Sequence, residues 1–324
     1  VSAPEGRGES PQDQDKVGLD QVSPDQVGPD QLDLEERPFR QFVRDFTRST
    51  DAVVALVVLV GVLAAAALAP VLSPQNPYDL TQIDILDNLQ KPGSESMSGM
   101  TFVLGSDGQG RDILSAILYG LRTSLIVGAA SVFIAVAIGV FVGLVSAYRG
   151  GWVDTVIMRI VDLQLSLPPI LVALVLLVLL GGGVDKIILA LVIVQWSFFA
   201  RTIRGLALVE NNREYMDAAR GLRLGGLRVL FSHLLPNCLP TLIVIATVQV
   251  ASAISLEATL SFLGLGLPPT EPSLGLLIAN GFRYMMSGNY WVSVFPGIAL
   301  LVTIMSINVL GDRLRDVLNP RMAR

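Results

Sequence analysis

Apolar runs long enough to cross a bilayer recur along this sequence, and they fix its class before any motif is read. A membrane-spanning helix takes roughly 20 mostly apolar residues. Such runs fall at 52–72, 123–147, 156–180, 185–203, 239–260 and 292–311. Length alone, 324 residues, would allow one to three soluble domains. The clustering of a 52% hydrophobic content into these runs, with only 16% of residues charged, replaces that estimate. The expected fold is all-α and polytopic: six transmembrane helices over 51–324, preceded by a polar tail over 1–50.

The tail is unlike the rest. It is rich in Asp, Glu, Gln, Pro and Gly, and it carries a five-residue repeat: KVGLD at 16–20, QVSPD at 21–25, QVGPD at 26–30 and the looser QLDLE at 31–35. Pro and Gly at this density oppose a regular helix, and the apolar content is too low to build a core. The expectation is an acidic, largely disordered tail on the cytoplasmic side. It ends where Arg37, Arg40, Arg44 and Arg48 interleave with Phe39, Phe42 and Phe46, a spacing that suits a short amphipathic helix on the membrane surface. The first apolar run begins too far in to resemble a secretory signal peptide, so it reads as the first span.

Lys and Arg predict orientation. With the N-terminus inside, the inner segments hold Arg149, Arg159, Arg201, Arg204, Arg213, Arg220, Arg223, Arg228, Arg313 and Arg315, besides the arginines of both termini. The outer segments hold only Lys91, Arg111, Arg122, Lys186 and Arg283. That asymmetry follows the positive-inside rule and places both termini in the cytoplasm. Small residues crowd the second run, among them Gly128, Ala135, Gly139 and Gly143, and permit close helix approach where lipid gives little driving force.

Several classes find little support. The formal net charge is −5, which does not favour nucleic acid. Cys238 is the single cysteine and His233 the single histidine, so neither an intrachain disulfide nor a conventional zinc site is expected. An intramembrane enzyme would need convergent nucleophile, base or metal-ligand residues, and none stand out. Residues 104–125 lack the spacing and the Lys-Ser/Thr ending of a phosphate loop.

Three segments carry more. Residues 204–237, RGLALVENNREYMDAARGLRLGGLRVLFSHLLPN, are too polar to span. Yet Leu206, Val209, Tyr215, Ala218, Ala219, Leu222, Leu227 and Leu230 can form apolar stripes on short helices broken at Gly225 and Gly226. From Asp217 onward this stretch resembles the cytoplasmic "EAA" signature of bacterial ABC importer permeases. Asp217 stands at that family's Glu position, Ala218 and Ala219 match its alanines, and Leu235 and Pro236 match its terminal Leu-Pro. The sequence departs from the pattern at Arg223, where that family has Gly, and at His233, where it often has Ile. Residues 104–125, LGSDGQGRDILSAILYGLRTSL, resemble the stretch before the second helix in the "C" permease of dipeptide and oligopeptide importers. Asp107, Gly110, Arg111, Asp112 and Arg122 fall on that pattern, as residues of an external loop or subunit contact; 107–110 suits a tight turn, and Arg111 and Asp112 could pair across it or fix the loop to the neighbouring subunit. The third segment, LEATLSFLGLGLPPTEPSLG at 256–275, also resembles this branch. There Glu257 is a carboxylate at membrane depth, expected at a pathway or gate or as a packing partner, and Pro268, Pro269 and Pro272 stop the helix.

The resemblance covers roughly residues 50–324, and it implies the type I importer permease fold. In such a transporter two related permease subunits form the pathway and two ATP-binding subunits, which hold ATP and Mg, drive it. A periplasmic or extracellular peptide-binding protein delivers cargo. By that resemblance Asp217, Ala218, Ala219, Arg220, Gly221, Leu235 and Pro236 belong to the surface that couples to the ATPase subunit. This chain would hold no cofactor and would not hydrolyse ATP itself. The resemblance implies residence in the bacterial plasma membrane. Cargo stays open among dipeptides, longer oligopeptides, nickel chelates, haem-like ligands and small glycosides. A self-contained channel or secondary transporter is the rival from another class.

Overall fold

The computed structural model describes residue 44 and residues 46–222, 225–268 and 270–318. The repeat tail, Arg37, Arg40, Arg223, Pro269, Arg321 and Arg324 lie outside the described residues. The helices are α1 (Thr50–Ala67), α2 (Ala69–Leu72), α3 (Ile113–Arg149), α4 (Gly151–Leu165), α5 (Pro169–Leu180), α6 (Val184–Asn211), α7 (Glu214–Gly221), α8 (Gly226–Val229), α9 (Leu235–Phe262), α10 (Leu274–Phe282) and α11 (Trp291–Leu318). Between α2 and α3 sits a minimal antiparallel ribbon, β1 (Ser94–Glu95) and β2 (Thr101–Phe102), pairing Ser94 with Phe102 and Glu95 with Thr101. A π-helical turn, Leu230–Leu234, leads into α9.

Among the described residues, five helices are long and apolar enough to cross a membrane: α1, α3, α6, α11 and the continuous Leu230–Phe262. A sixth span exists only if α4 and α5 are taken as one. The run at 156–180, expected as a single helix, is instead two helices meeting at 86°. The break is built into the sequence. Pro169 starts α5 and Pro168 precedes it in an extended conformation, since a residue before proline is pushed out of the helical region. Elsewhere the spans exceed the apolar runs. α3 starts ten residues earlier than the hydropathy suggests because Asp112 caps it, accepting from Ser115 N at 2.7 Å. The segment between the apolar runs at 239–260 and 292–311 contains α10. Ser273 caps this helix, accepting from Leu276 N at 3.2 Å, and Leu274, Leu276 and Leu277 are buried.

α3 is the central helix. It packs on α1, α6, α9, α10 and α11, with its most extensive interface against α6. That interface depends on Gly139 and Gly143, one turn apart. A Cβ on Gly139 would meet Trp196 O at 2.8 Å, and one on Gly143 would meet Ala200 O at 2.5 Å. Only a missing side chain lets the two backbones approach so closely. At one end of the bundle, Val132, Leu144, Phe199 and Ile203 form a buried cluster with Met216, Leu230 and Leu234 of the 212–237 connection. At the other end, Ile113, Ala116, Leu274 and Trp291 bury the start of α3 against α10 and α11.

Candidate functional site

The polar connection between α6 and α9 is an ordered device. α7 turns Met216 and Ala219 inward, to 0% and 4% exposure, and leaves Asp217, Gly221 and Leu222 exposed. Its acidic first turn, Glu214 and Asp217, suits the positive end of a helix dipole. Tyr215 links both flanking spans: its hydroxyl donates to Glu210 Oε2 at 3.0 Å and accepts from Asn237 Nδ2 at 3.3 Å. Burial, followed by the neighbouring Glu210 carboxylate, pushes the Tyr215 phenol above its usual range, so it stays a donor. Asn237 also donates to His233 O at 2.7 Å, across the π turn. Leu235 packs against the same cluster, and Pro236 is exposed at the start of α9. Of the motif residues, the structure thus seats Ala219 and Leu235 in the bundle and turns Asp217, Gly221 and Pro236 outward. Sequence reasoning places Tyr215 only on an apolar stripe and does not single out Glu210 or Asn237. Their signal was a Tyr and an Asn flanking the motif at helix ends, and only the fold brings them together.

At the other end, residues 73–112 form a knot on the start of α3. Residues 107–110 close a turn, with Gly110 N donating to Asp107 O at 3.1 Å. Gly110 takes φ +81°, and a Cβ there would strike Asp84 O. Arg111 Nε donates to Asp107 Oδ2 at 2.8 Å in a pair that is only 3–4% exposed. The pairing expected of Arg111 and Asp112 is thus made by Arg111 with Asp107, while Asp112 serves as the α3 cap. Gln75 stitches the segment down: its Oε1 accepts from Asp112 N at 2.7 Å and its N donates to Ser115 Oγ at 3.2 Å. Burial raises the Asp112 carboxyl above its ordinary value, opposed by hydrogen bonds from Ser115. Trp291 of α11 donates to Ser106 O at 3.4 Å, tying the knot to the last span. Arg122 lies on the exposed face of α3, two turns on.

Glu257 is fully buried in α9. It accepts from Ser124 Oγ of α3 at 2.9 Å and from Ser261 Oγ at 2.7 Å. Gly275 lets α10 reach this cage: a Cβ there would meet Ala258 Cα at 2.5 Å. Glu257 therefore joins α3 to α9, beside the close approach of α10 to α9. A different face of α9 carries Gln249, Ser252, Ser255 and Thr259 and borders a cavity of about 540 Å³ that reaches α6 and α11. A second cavity, about 630 Å³, continues from Gln249 and Phe198 towards Asp312 and Arg315 near the end of α11. Among the described residues, no three His, Cys, Asp or Glu side chains converge as a metal-holding group.

Two family models match this sequence. One, described as "Binding-protein-dependent transport system inner membrane component", covers residues 135–324; the other, "N-terminal TM domain of oligopeptide transport permease C", covers 37–92. The dipeptide transport system permease protein DppC of Escherichia coli (strain K12) is 40% identical over 285 residues, 88% of this chain and 94% of the relative. The di/tripeptide transport system permease protein DppC of Pseudomonas aeruginosa (strain UCBPP-PA14) is 35% identical over 286 residues, 88% of this chain and 93% of its own. Inward-facing crystal structures of the MetNI methionine ABC transporter share the fold. Two such chains give TM-scores of 0.52 and 0.51 at 23% identity, covering 62% of this chain and 96% of theirs.

Proposed function

The chain belongs to the family of inner-membrane components of binding-protein-dependent transport systems, and from that premise we propose that it forms half of the translocation pathway of an ATP-driven peptide importer. In this reading a second, homologous permease completes the pathway. Two ATP-binding subunits carry ATP and Mg, and a peptide-binding protein delivers cargo to the outer face. The chain is a non-catalytic subunit. Dipeptides and short oligopeptides are the cargo, in line with the names of its relatives. The lysine and arginine distribution supports six crossings with α4 and α5 as one bent span, and both termini in the cytoplasm. The tail over 1–50, with its interfacial Arg/Phe segment, then lies on that side.

The observation that carries the coupling role is α7. A short helix rooted in the bundle by Met216 and Ala219, and tied to α6 and α9 through Tyr215, can transmit a push to both spans. Asp217, Gly221, Leu222 and Pro236 offer the surface for the ATPase subunit; Ala218, Arg220 and Leu235 belong to the same motif. Nucleotide-driven closure of the ATPase pair would bias two states of the pathway, the requirement for alternating access. Glu257 acts at the outer gate by holding α9 to α3 where α10 packs against α9. The knot built on Asp107, Gly110, Arg111 and Asp112 shapes the outer surface, where Arg122 offers a contact to a neighbouring subunit or to the binding protein.

Purification of the chain from its native membrane in mild detergent, with the stoichiometry of bound subunits, tests the assignment. A second permease and two ATPase subunits, with peptide-stimulated ATP hydrolysis, are expected. An intact chain recovered alone, while a control importer survives the same procedure, would refute it in favour of a self-contained transporter. Ala219→Arg should abolish peptide-stimulated hydrolysis while leaving membrane insertion intact; unchanged coupling would remove α7 from the transmission path.

A further inference from the structure

The 540 Å³ cavity lies among the α4–α5 break, α6, α9 and α11. Its polar lining is Gln195, Gln249, Ser252, Ser255, Thr259 and Asn308, and none of the described residues lining it is ionisable. Leu165, Pro169, Val194, Phe198 and Leu256 make the remaining wall apolar. The four polar positions on α9 follow at intervals of three, three and four residues, so they form one stripe along the helix. Glu257 and its serine partners lie off that stripe, with Ser124 reaching it from α3.

The chemistry of the lining is directional. Ser255 donates its hydroxyl proton to Ala251 O at 2.9 Å, and Thr259 donates to Ser255 O at 2.7 Å. Both protons are committed to the helix itself, which leaves these oxygens with acceptor capacity only. Gln195 borders the cavity as well. Its side chain is only 6% exposed, and its Oε1 has no hydrogen-bond partner among the described residues. A buried carbonyl oxygen left unpaired is an exception that calls for a partner from outside. The stripe from Gln249 to Thr259 spans ten residues of helix, about 15 Å. That is the length of about four to five residues of extended chain.

We propose that this cavity is a binding station for the main chain of an extended short peptide, recognised through its amide N–H groups and indifferent to side-chain charge. The proposal rests on the peptide-permease reading and assigns the part of the path that cargo touches. Main-chain N–H groups are the donors every peptide shares, and acceptors without charge hold them without favouring acidic or basic side chains. The apolar wall accommodates side chains by shape. Charge returns only where the second cavity reaches Asp312 and Arg315.

The single cysteine makes a direct test short. Cys238 is 1% exposed, and Cys238→Ala gives a background in which Ser252→Cys and Ser255→Cys are introduced singly. The whole transporter is reconstituted in nanodiscs and treated with a membrane-impermeant thiol reagent. Ser131→Cys, fully buried on α3, serves as control. Both cysteines should react at least about tenfold faster than the control, because thiol reactivity follows access to water. A transported tripeptide should slow them. Reaction at the control rate, or only with a lipid-soluble reagent, would overturn the proposal by showing the face to be packed or lipid-covered. In a second arm, Gln195→Glu should shift the ratio of Lys-containing to Asp-containing peptide transport by about tenfold towards Lys, since a charge placed in a poorly hydrated site discriminates strongly. The binding protein's own affinities, measured separately, must not change. An unchanged ratio refutes main-chain recognition at Gln195. A wild-type complex that assembles yet moves no peptide overturns the permease reading, and the proposal falls with it; an active complex with unlabelled cysteines sinks the cavity assignment alone.

Discussion

Arg111→Met probes the ion pair that closes the knot before α3. The Asp107 carboxylate has three donors: Gln109 N at 2.8 Å and Arg111 N at 3.0 Å on Oδ1, and Arg111 Nε at 2.8 Å on Oδ2. Both side chains are at least 96% shielded from solvent. Substituting Arg111 leaves the carboxylate desolvated with only its two main-chain donors. Removing one partner of a buried pair costs about 3–5 kcal/mol, and the surviving donors put this case near the low end, about 3 kcal/mol. Asp107→Asn should cost a similar amount for the opposite reason, since the guanidinium stays buried without that carboxylate. The double variant leaves neither charge and loses mainly one hydrogen bond and some packing, about 2 kcal/mol in all. The cycle therefore predicts strong coupling rather than additivity. Amide hydrogen exchange over 87–113 in the nanodisc-held complex reads this locally, because segments open with their own free energies. Each single substitution should speed exchange there by about a hundredfold, and the double by less. Equal and additive effects, or protection that does not change, would show that the pair does not hold the knot.

Gly139→Leu should cost about 3 kcal/mol or more by forcing α3 off α6, seen as a lowered unfolding midpoint in detergent. Gly205→Ala, where a Cβ meets nothing within 4 Å, should leave that midpoint in place. Glu257→Gln keeps an acceptor for the serines and should be tolerated within about 1 kcal/mol. Glu257→Leu strands Ser124 and Ser261 at about 1–3 kcal/mol for each unmet hydroxyl; equal stability of the two variants would dismiss the cage as a determinant. Because the folded protein holds the Asp112 proton more tightly than the unfolded chain does, its contribution is greatest below the ordinary Asp pKa. It is lost as pH rises through the raised folded value. Asp79, whose carboxyl is depressed by bonds from Thr81, contributes in the opposite sense, with stability falling as pH drops. Exchange protection of the first turn of α3 should therefore show a downward slope just above pH 4 that Asp112→Asn removes; persistence of the slope in that variant would assign it elsewhere.

The sequence by itself determined that the chain is a helical membrane protein, because a span must bury its own backbone polar groups and be apolar over its length. It also marked the polar loop between α6 and α9, where Asp217, Ala219, Leu235 and Pro236 carry a local pattern, and the turn before α3, where Gly110 takes φ +81°. The bend between α4 and α5 was legible in the Pro168–Pro169 pair, and α10 in the Ser273 cap ahead of an apolar segment, but hydropathy averaged over long windows hides both. Other features existed only in the tertiary structure. Nothing near Arg111 in sequence favours Asp107 over Asp112 as its partner. Nothing ties Tyr215 to both Glu210 and Asn237 until α6 and α9 converge, and nothing sends Glu257 to Ser124, 133 residues away. Composition sets which segments enter the bilayer, whereas the choice among polar partners there depends on which helix faces meet. Those meetings are decided by close contacts such as Gly139 and Gly143 against α6, where a single methyl group would separate the backbones.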